Sequence, residues 1–249
     1  MHSLIPHALG LHTTTPQLGL SRSHPLTGST HETWELGRDM STQLHEYLFT
    51  FIGIEELQNL DFIAVAHGPG GFTSTRLGVV TARTLAQQLN IPLFGISSLA
   101  AYVWHHIQRR NNENSPSQKA IKQKTSNQEA NNQEASNIDM QPVPDAETLT
   151  AIHMPARRGQ VFGAVYSVTW GEGGIPKELV SYKDAHVIDA ETWQTYLKSE
   201  YSQPMTTMEI SGPLGYTVSS VLELAAIDYQ KKQRPHWSSV EPFYGQSPV

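Results

Sequence analysis

Residues 61–89 constrain the fold of this chain more than any other stretch. Asp61-Phe62-Ile63-Ala64-Val65-Ala66 is a short apolar run, His67-Gly68-Pro69-Gly70-Gly71 breaks it, and an Ala-, Leu- and Val-rich segment begins behind Thr73. A buried strand that passes through a glycine turn into a helix is the first half of a crossover, and crossovers join parallel strands. The same arrangement is the usual shape of an anion site, because glycine brings backbone N–H groups together at the positive end of a helix.

The residues keep that shape without its chemistry. A Walker loop needs Lys followed by Ser or Thr, and Thr73-Ser74-Thr75-Arg76 contains no Lys. A dinucleotide fingerprint needs a third glycine where Gly68-Pro69-Gly70-Gly71-Phe72-Thr73 ends in Thr. What remains is a sharp turn and Thr73, whose hydroxyl is expected to cap the helix. A structural role for the loop is the stronger reading from the residues alone.

The helix from about Thr73 to Leu89 says more. At roughly 100 degrees per residue, Gly78, Ala82, Leu85, Ala86 and Leu89 share one face with Val79 at its margin, and that face belongs to a core. The opposite side carries Thr73, Leu77, Val80, Thr81, Thr84 and Gln88, with Arg76 and Arg83 the charges on one flank. A small, uncharged second face fits either a partner helix or burial within the same chain.

The rest of the chain reads as α/β. Residues 7–23 form strand, turn at Thr14-Thr15-Pro16-Gln17, and strand; 34–52 repeat apolar residues at helical spacing through Leu36, Met40, Leu44, Leu48, Phe51 and Ile52. Asn90-Ile91-Pro92 ends the glycine-loop helix, and a strand at 93–96 leads into a helix at 98–107. Residues 151–170 are a hairpin turning near Arg157-Arg158-Gly159. A helix follows at 190–198, then a strand at 208–211 and a second glycine turn that opens a last helix to about Lys232. Residues 111–147 are Asn, Gln, Ser, Glu and Lys with scarcely an apolar group. Such a segment buries too little surface to offset an ordering cost of roughly 1–2 kcal/mol per residue, so it is expected to be a disordered insertion.

Composition narrows the function classes. With no cysteine in 249 residues there is no disulfide, thiolate nucleophile or cysteine zinc site. A net charge of -6 argues against a chain that binds nucleic acid by itself. Neither a secretion signal nor an apolar run near the roughly 20 residues of a membrane span is seen, so a soluble cytoplasmic protein is expected. His12-Thr13-Thr14-Thr15 sets a base beside hydroxyls, but strand neighbours point to opposite faces, and turn chemistry is the better account. His105-His106 diverge by about 100 degrees on a helix, unlike metal pairs spaced by three or four. Arg157-Arg158 suit a phosphate or an exposed turn equally. No catalytic constellation emerges.

The motifs do resemble a known family. GPGGFTSTRLGVVTARTLAQQLNIPLFGISSLAA (68–101) is similar to the central signature of the TsaB family, also called YeaZ. LGLHTTTPQLGL (9–20), AIHMPARRGQVFGAVY (151–166) and EPFY (241–244) resemble its opening hairpin, later hairpin and closing Pro-x-Tyr motif, in the right order. His12 and WELGRD look most like the cyanobacterial branch. The resemblance implies an actin/Hsp70-like (ASKHA) nucleotidase fold with a complete first domain at 1–110, the insertion at 111–147 and a reduced second domain at 148–249. It implies a non-catalytic partner of the paralogue TsaD that acts with the ATPase TsaE. Together they transfer a threonylcarbamoyl group to the adenosine beside the anticodon of tRNA. ATP and magnesium are then implied for the complex, through TsaD and TsaE, and not for this chain alone. In the family, first-domain helices pack on TsaD or on a second TsaB. That makes Thr73, Arg76, Leu77, Val80, Thr81, Thr84 and Gln88 the candidate interface, with the loop Gly68-Pro69-Gly70-Gly71-Phe72-Thr73 beside it, and Leu77→Glu a variant expected to abolish the complex without unfolding the chain.

Departures from the family matter as well. Relatives commonly carry Asp at the positions of His12 and Pro155, and losing both carboxylates removes the hard oxygen ligands that magnesium prefers. His12 and Pro155 are therefore degenerate phosphate-site positions, and the final Gln246 stands where relatives often have Arg. The alternatives are a stand-alone kinase or peptidase of the same superfold, or a homodimeric regulator using the same helix face. Deleting 111–147 is expected to leave partner binding and melting temperature nearly unchanged; a large loss of either in a sizing or thermal assay would show that the segment is ordered or functional.

Overall fold

The computed structural model describes residues 6–114 and 148–245, which build two sheets. The first has the order β3-β2-β1-β4-β5, with β1 (Ala8–His12), β2 (Gln17–His24), β3 (Gly28–Glu35), β4 (Phe62–Gly68) and β5 (Leu93–Ser97). Strands β1, β2 and β3 pair antiparallel, while β4 lies parallel to both β1 and β5. The second sheet has the order β8-β7-β6-β9, with β6 (Leu149–Pro155), β7 (Gln160–Trp170), β8 (Pro176–Asp189) and β9 (Met205–Glu209). It repeats the pattern: β6, β7 and β8 antiparallel, β9 parallel to β6.

The helices repeat too. In the first half α1 (Met40–Ile52) and the short α2 (Ile54–Leu57) follow β3, α3 (Phe72–Leu89) follows β4 and α4 (Ser98–Asn114) follows β5. In the second half α5 (Ala190–Glu200) follows β8 and α6 (Val218–Gln230) follows β9. The first half is a βββαβαβα unit and the second repeats it without the last strand and helix, which is the actin/Hsp70-like fold with a reduced second half.

Period-two alternation sorts the first sheet into two faces. Leu9, Leu11, Ile63 and Val65 meet Met40, Leu44, Leu48 and Ile52 of α1 and Val79, Ala82 and Ala86 of α3. Ala8, Phe62, Ala64 and Ala66 point the other way, onto Ala101 of α4 and Val221, Leu222 and Ala225 of α6. The second sheet takes the opposite flank of α4, where Leu99, Val103 and Ile107 pack on Ile152, Ala164, Tyr166 and Met208. Its outer face is covered by Trp193 and Leu197 of α5. Gly163 of β7 makes room there, since a Cβ would lie 2.9 Å from the Trp193 ring. One helix thus serves both sheets. It is tied to α6 by Trp104 Nε1, which donates to Glu223 Oε2 at 2.8 Å, and burial pushes the Glu223 carboxyl above its ordinary pKa.

Several sequence expectations need correction. Trp34 and Glu35 end strand β3 instead of opening a helix; α1 begins at Met40. Strand β3 was invisible because GSTHETWE is largely exposed along its length and has no apolar alternation, so only pairing with β2 defines it. The long β8 was likewise missed, and β9 lies at 205–209 rather than 208–211. Helix α4 runs on through 111–114, so the polar segment departs from Asn114; residues 115–147 lie outside the described residues. The second sheet begins at Leu149, but α6 and Val240, later in the chain, pack on the first sheet and its core. Sequence order and packing therefore divide the chain differently.

Trp104→Phe should cost about 1–3 kcal/mol in urea unfolding, because it leaves a buried carboxylate without its donor. Both sheets should still melt in one transition, since α4 belongs to both cores; two resolved transitions by fluorescence and circular dichroism would contradict this.

Candidate functional site

The glycine loop lies where β4 hands over to α3. Its space is filled by the chain itself. Gly71 N–H donates to Thr14 O at 2.7 Å, and Thr13 Oγ1 donates to Ser74 O at 2.8 Å. A Cβ on Gly70 would lie 2.3 Å from Thr14 O, and one on Gly78 would lie 2.1 Å from Thr13 Oγ1. These glycines are needed because the β1–β2 turn presses against the loop and the first turns of α3. Gly68, at φ 115 and followed by a cis bond to Pro69, meets the C-terminal segment, where a Cβ would be 2.6 Å from Phe243 O. Phe243 N–H donates to His67 O at 2.7 Å, and the Phe72 and Tyr244 rings are 4.4 Å apart.

The three threonines of the turn divide their work. Thr13 binds α3, Thr14 Oγ1 accepts from Ser98 Oγ at 3.1 Å, and Thr15 Oγ1 accepts from Leu214 N–H at 3.0 Å. Gln17 Oε1 accepts from Tyr216 N–H at 3.0 Å. The turn thereby holds α3, α4 and the loop before α6 together, which is the turn chemistry expected of it. The expected cap is corrected: α3 starts at Phe72 with Gly71 as N-cap, and no side chain caps it. Thr73 sits one residue inside the first turn, past the position from which a hydroxyl reaches back.

His12 closes β1 and is fully buried, with neither ring nitrogen hydrogen-bonded among the described residues. Burial pushes its pKa down to about 3, so at neutral pH it is an uncharged imidazole. Pro155 ends β6, the strand matching β1 in the second half, and is exposed. Neither residue offers an anionic oxygen, and Thr14 already takes the Gly71 N–H. The residues present do not fit a magnesium–nucleotide.

Helix α3 splits the candidate interface. Thr81 is buried at 7 % exposure, and Leu77 is partly buried against the first core, so the expected face is not exposed as a whole. The reason is width: α3 packs on the sheet and lies beside α1, so its buried arc is broader than one stripe. Thr73, Arg76, Thr84 and Gln88 are exposed, with Val80 at 51 % and Phe72 at 40 %. At spacing near four, Phe72, Arg76, Val80, Thr84 and Gln88 form one strip. Arg76 makes no ion pair among the described residues, whereas Arg83 stands over the Trp237 ring at 5.8 Å. Phe49 of the adjoining α1 is 45 % exposed. The sequence reading did not single out Phe49 and Phe72 as exposed apolar groups. It also left the hold of Phe243 and Tyr244 on the loop undetected, because that contact joins residues far apart in the chain. His105, Tyr216 and His106 cluster between α4 and the 3-10 turn before α6. Burial, with His106 and Arg109 nearby, brings His105 down to about 4.

These features define a class: a duplicated actin/Hsp70-like α/β protein whose phosphate-type loop is packed with its own threonines. A family model described as TsaD, tRNA N6-adenosine threonylcarbamoyltransferase, matches residues 42–119. A Bacillus subtilis (strain 168) protein, tRNA threonylcarbamoyladenosine biosynthesis protein TsaB, is 52 % identical over 42 residues, 17 % of this chain and 18 % of the relative. Its namesake in Buchnera aphidicola subsp. Schizaphis graminum is 43 % identical over 44 residues, 18 % of this chain and 21 % of the relative. The matched segments thus span only about a fifth of those curated relatives. Structural similarity is broader. YeaZ from Pseudomonas aeruginosa matches 96 % of this chain and 99 % of its own at TM-score 0.63 and 17 % identity. An uncharacterized protein with similarity to peptidase YEAZ from Pseudomonas aeruginosa matches 97 % and 100 % at 0.62 and 17 %. The central segment is thus similar to TsaB proteins, and the overall fold is similar to that of YeaZ.

Acid should destabilise this protein. His12, His67, His105 and His106 all have folded pKa values lowered by burial from 6.5. Their stabilising contribution is present above 6.5 and is lost as pH falls, through about 4 for His105 and about 3 for His12. Each proton adds up to about 1.4 kcal/mol per pH unit to the slope. His12→Leu should flatten the fall of unfolding free energy between pH 6.5 and 4; an unchanged slope would contradict the assignment.

Proposed function

We propose that this chain is a non-catalytic subunit in the biosynthesis of threonylcarbamoyladenosine in tRNA. It docks a TsaD paralogue through the exposed strip of α3 and acts with a TsaE-type ATPase. The observation that carries the reading is the pairing of an inward-locked loop with an outward strip that is apolar or uncharged apart from Arg76. A surface helix with this composition suits another helix better than water. The names of the curated relatives and the matched family model support the pathway.

In this reading the chain contributes surface and rigidity, and TsaD supplies the chemistry. ATP and magnesium serve TsaD and TsaE, and tRNA meets this chain only through the complex. The same strip would serve a homodimer, so self-association and TsaD binding compete for it. A cytoplasmic location follows from the proposed substrate; among the described residues, no helix is long and apolar enough to cross a membrane.

Val80→Glu is the better test than Leu77→Glu, because Leu77 also packs on the chain's own core. Sizing with light scattering, alone and with TsaD from the same organism, should show a mixed species that Val80→Glu abolishes. Its unfolding free energy should stay within about 0.5 kcal/mol of the parent. A parent chain that never shifts with TsaD, or a variant that still binds, would overturn the proposed docking.

A further inference from the structure

Away from α3, three metal-ligating side chains meet at the opening of β1. His7 precedes β1 and His24 ends β2, and the register Ala8↔Ser23 places them side by side across the antiparallel pair. Their rings are 4.8 Å apart at 83°. Glu56 of α2 closes the group, and one ligand atom from each residue lies within 4.8 Å of the other two. We propose that His7, His24 and Glu56 bind one divalent transition cation of the zinc type.

The geometry at His7 carries the argument. Its side chain is 9 % exposed, and Glu56 Oε2 stands 2.8 Å from Nε2, yet that buried nitrogen makes no hydrogen bond among the described residues. The oxygen is close but off the N–H direction. With His7 neutral, this close nitrogen–oxygen contact needs only to open slightly to admit one ion between the two atoms. In a tetrahedral zinc site, with bonds of about 2.0–2.2 Å, neighbouring ligand atoms are roughly 3.3 Å apart. Closing the widest separation, up to 4.8 Å, to that value takes roughly 1.5 Å of movement by the half-exposed Glu56 and His24.

The backbone around the group is prepared for it. His7 N–H donates to Asp61 Oδ2 at 2.8 Å, Asp61 N–H donates to His7 O at 2.7 Å, and Ser23 Oγ donates to Pro6 O at 2.6 Å. His24 Nδ1 accepts from Leu26 N–H at 3.1 Å, in a turn where Leu26 is 89 % exposed. That turn can yield as the imidazole reorients. Two neutral imidazoles and one carboxylate give a nitrogen-rich set that suits zinc and its neighbours, and does not suit magnesium or calcium, which take oxygen. The fourth position is left to water. Such an ion clips the start of β1, the end of β2 and α2 together, beside the corner where Ile54 is 66 % exposed.

The probe is zinc chloride titrated into the metal-stripped full chain by calorimetry, with cobalt(II) absorption as a second readout. The expected result is about one ion per chain, tetrahedral cobalt bands, a raised melting temperature and no displacement by magnesium. His24→Ala and Glu56→Gln should each weaken zinc by roughly tenfold or more and remove the cobalt bands, with metal-free melting temperatures near the parent. No saturable uptake overturns the proposal. So does uptake that both variants leave unchanged, which would place zinc elsewhere among the twelve histidines.

Discussion

Everything in this structure is organised around a helix that belongs to two cores. Helix α4 gives Ala101 to the first sheet, Leu99, Val103 and Ile107 to the second, and Trp104 to α6. A helix buried on both sides cannot slide without opening both cores, and close-packed interiors resist such movement. The two halves therefore behave as one body.

The glycine loop shows how a catalytic shape becomes a structural one. Glycines that in a nucleotide site would let backbone approach phosphate here let Thr13 and Thr14 approach α3. The contact fixes the start of the helix, and Phe243 and Tyr244 hold the loop from its other side. With the helix set in this way, Phe72, Arg76, Val80, Thr84 and Gln88 face outward as one strip. Nearby, His12 is a neutral buried imidazole and Pro155 is exposed, so neither brings a negative charge to the strand ends.

Much of the fold was legible because its elements announce themselves locally. The alternation of β1 and β4, the helical spacing of Leu44 and Leu48 and the turn at Arg157-Arg158-Gly159 all rest on near neighbours. Strand β3 was illegible because an edge strand exposed along most of its length carries no pattern. Thr81 was misplaced because periodicity gives the direction of a buried face without its width. Leu77 is partly buried for the same reason, and α6 follows the second sheet in sequence yet packs on the first.

The sequence by itself determined the class of the protein: the crossover at 61–89 and the glycine loop without its lysine or third glycine are matters of residue type and spacing. The tertiary structure alone decided what fills the loop and which part of α3 meets water. It also decided which side chains from distant segments come together, as Phe243 does with His67 and His7 with Glu56. The physical reason is range. Propensity and periodicity act over a few residues, whereas burial and close approach depend on segments that meet only after the chain has folded.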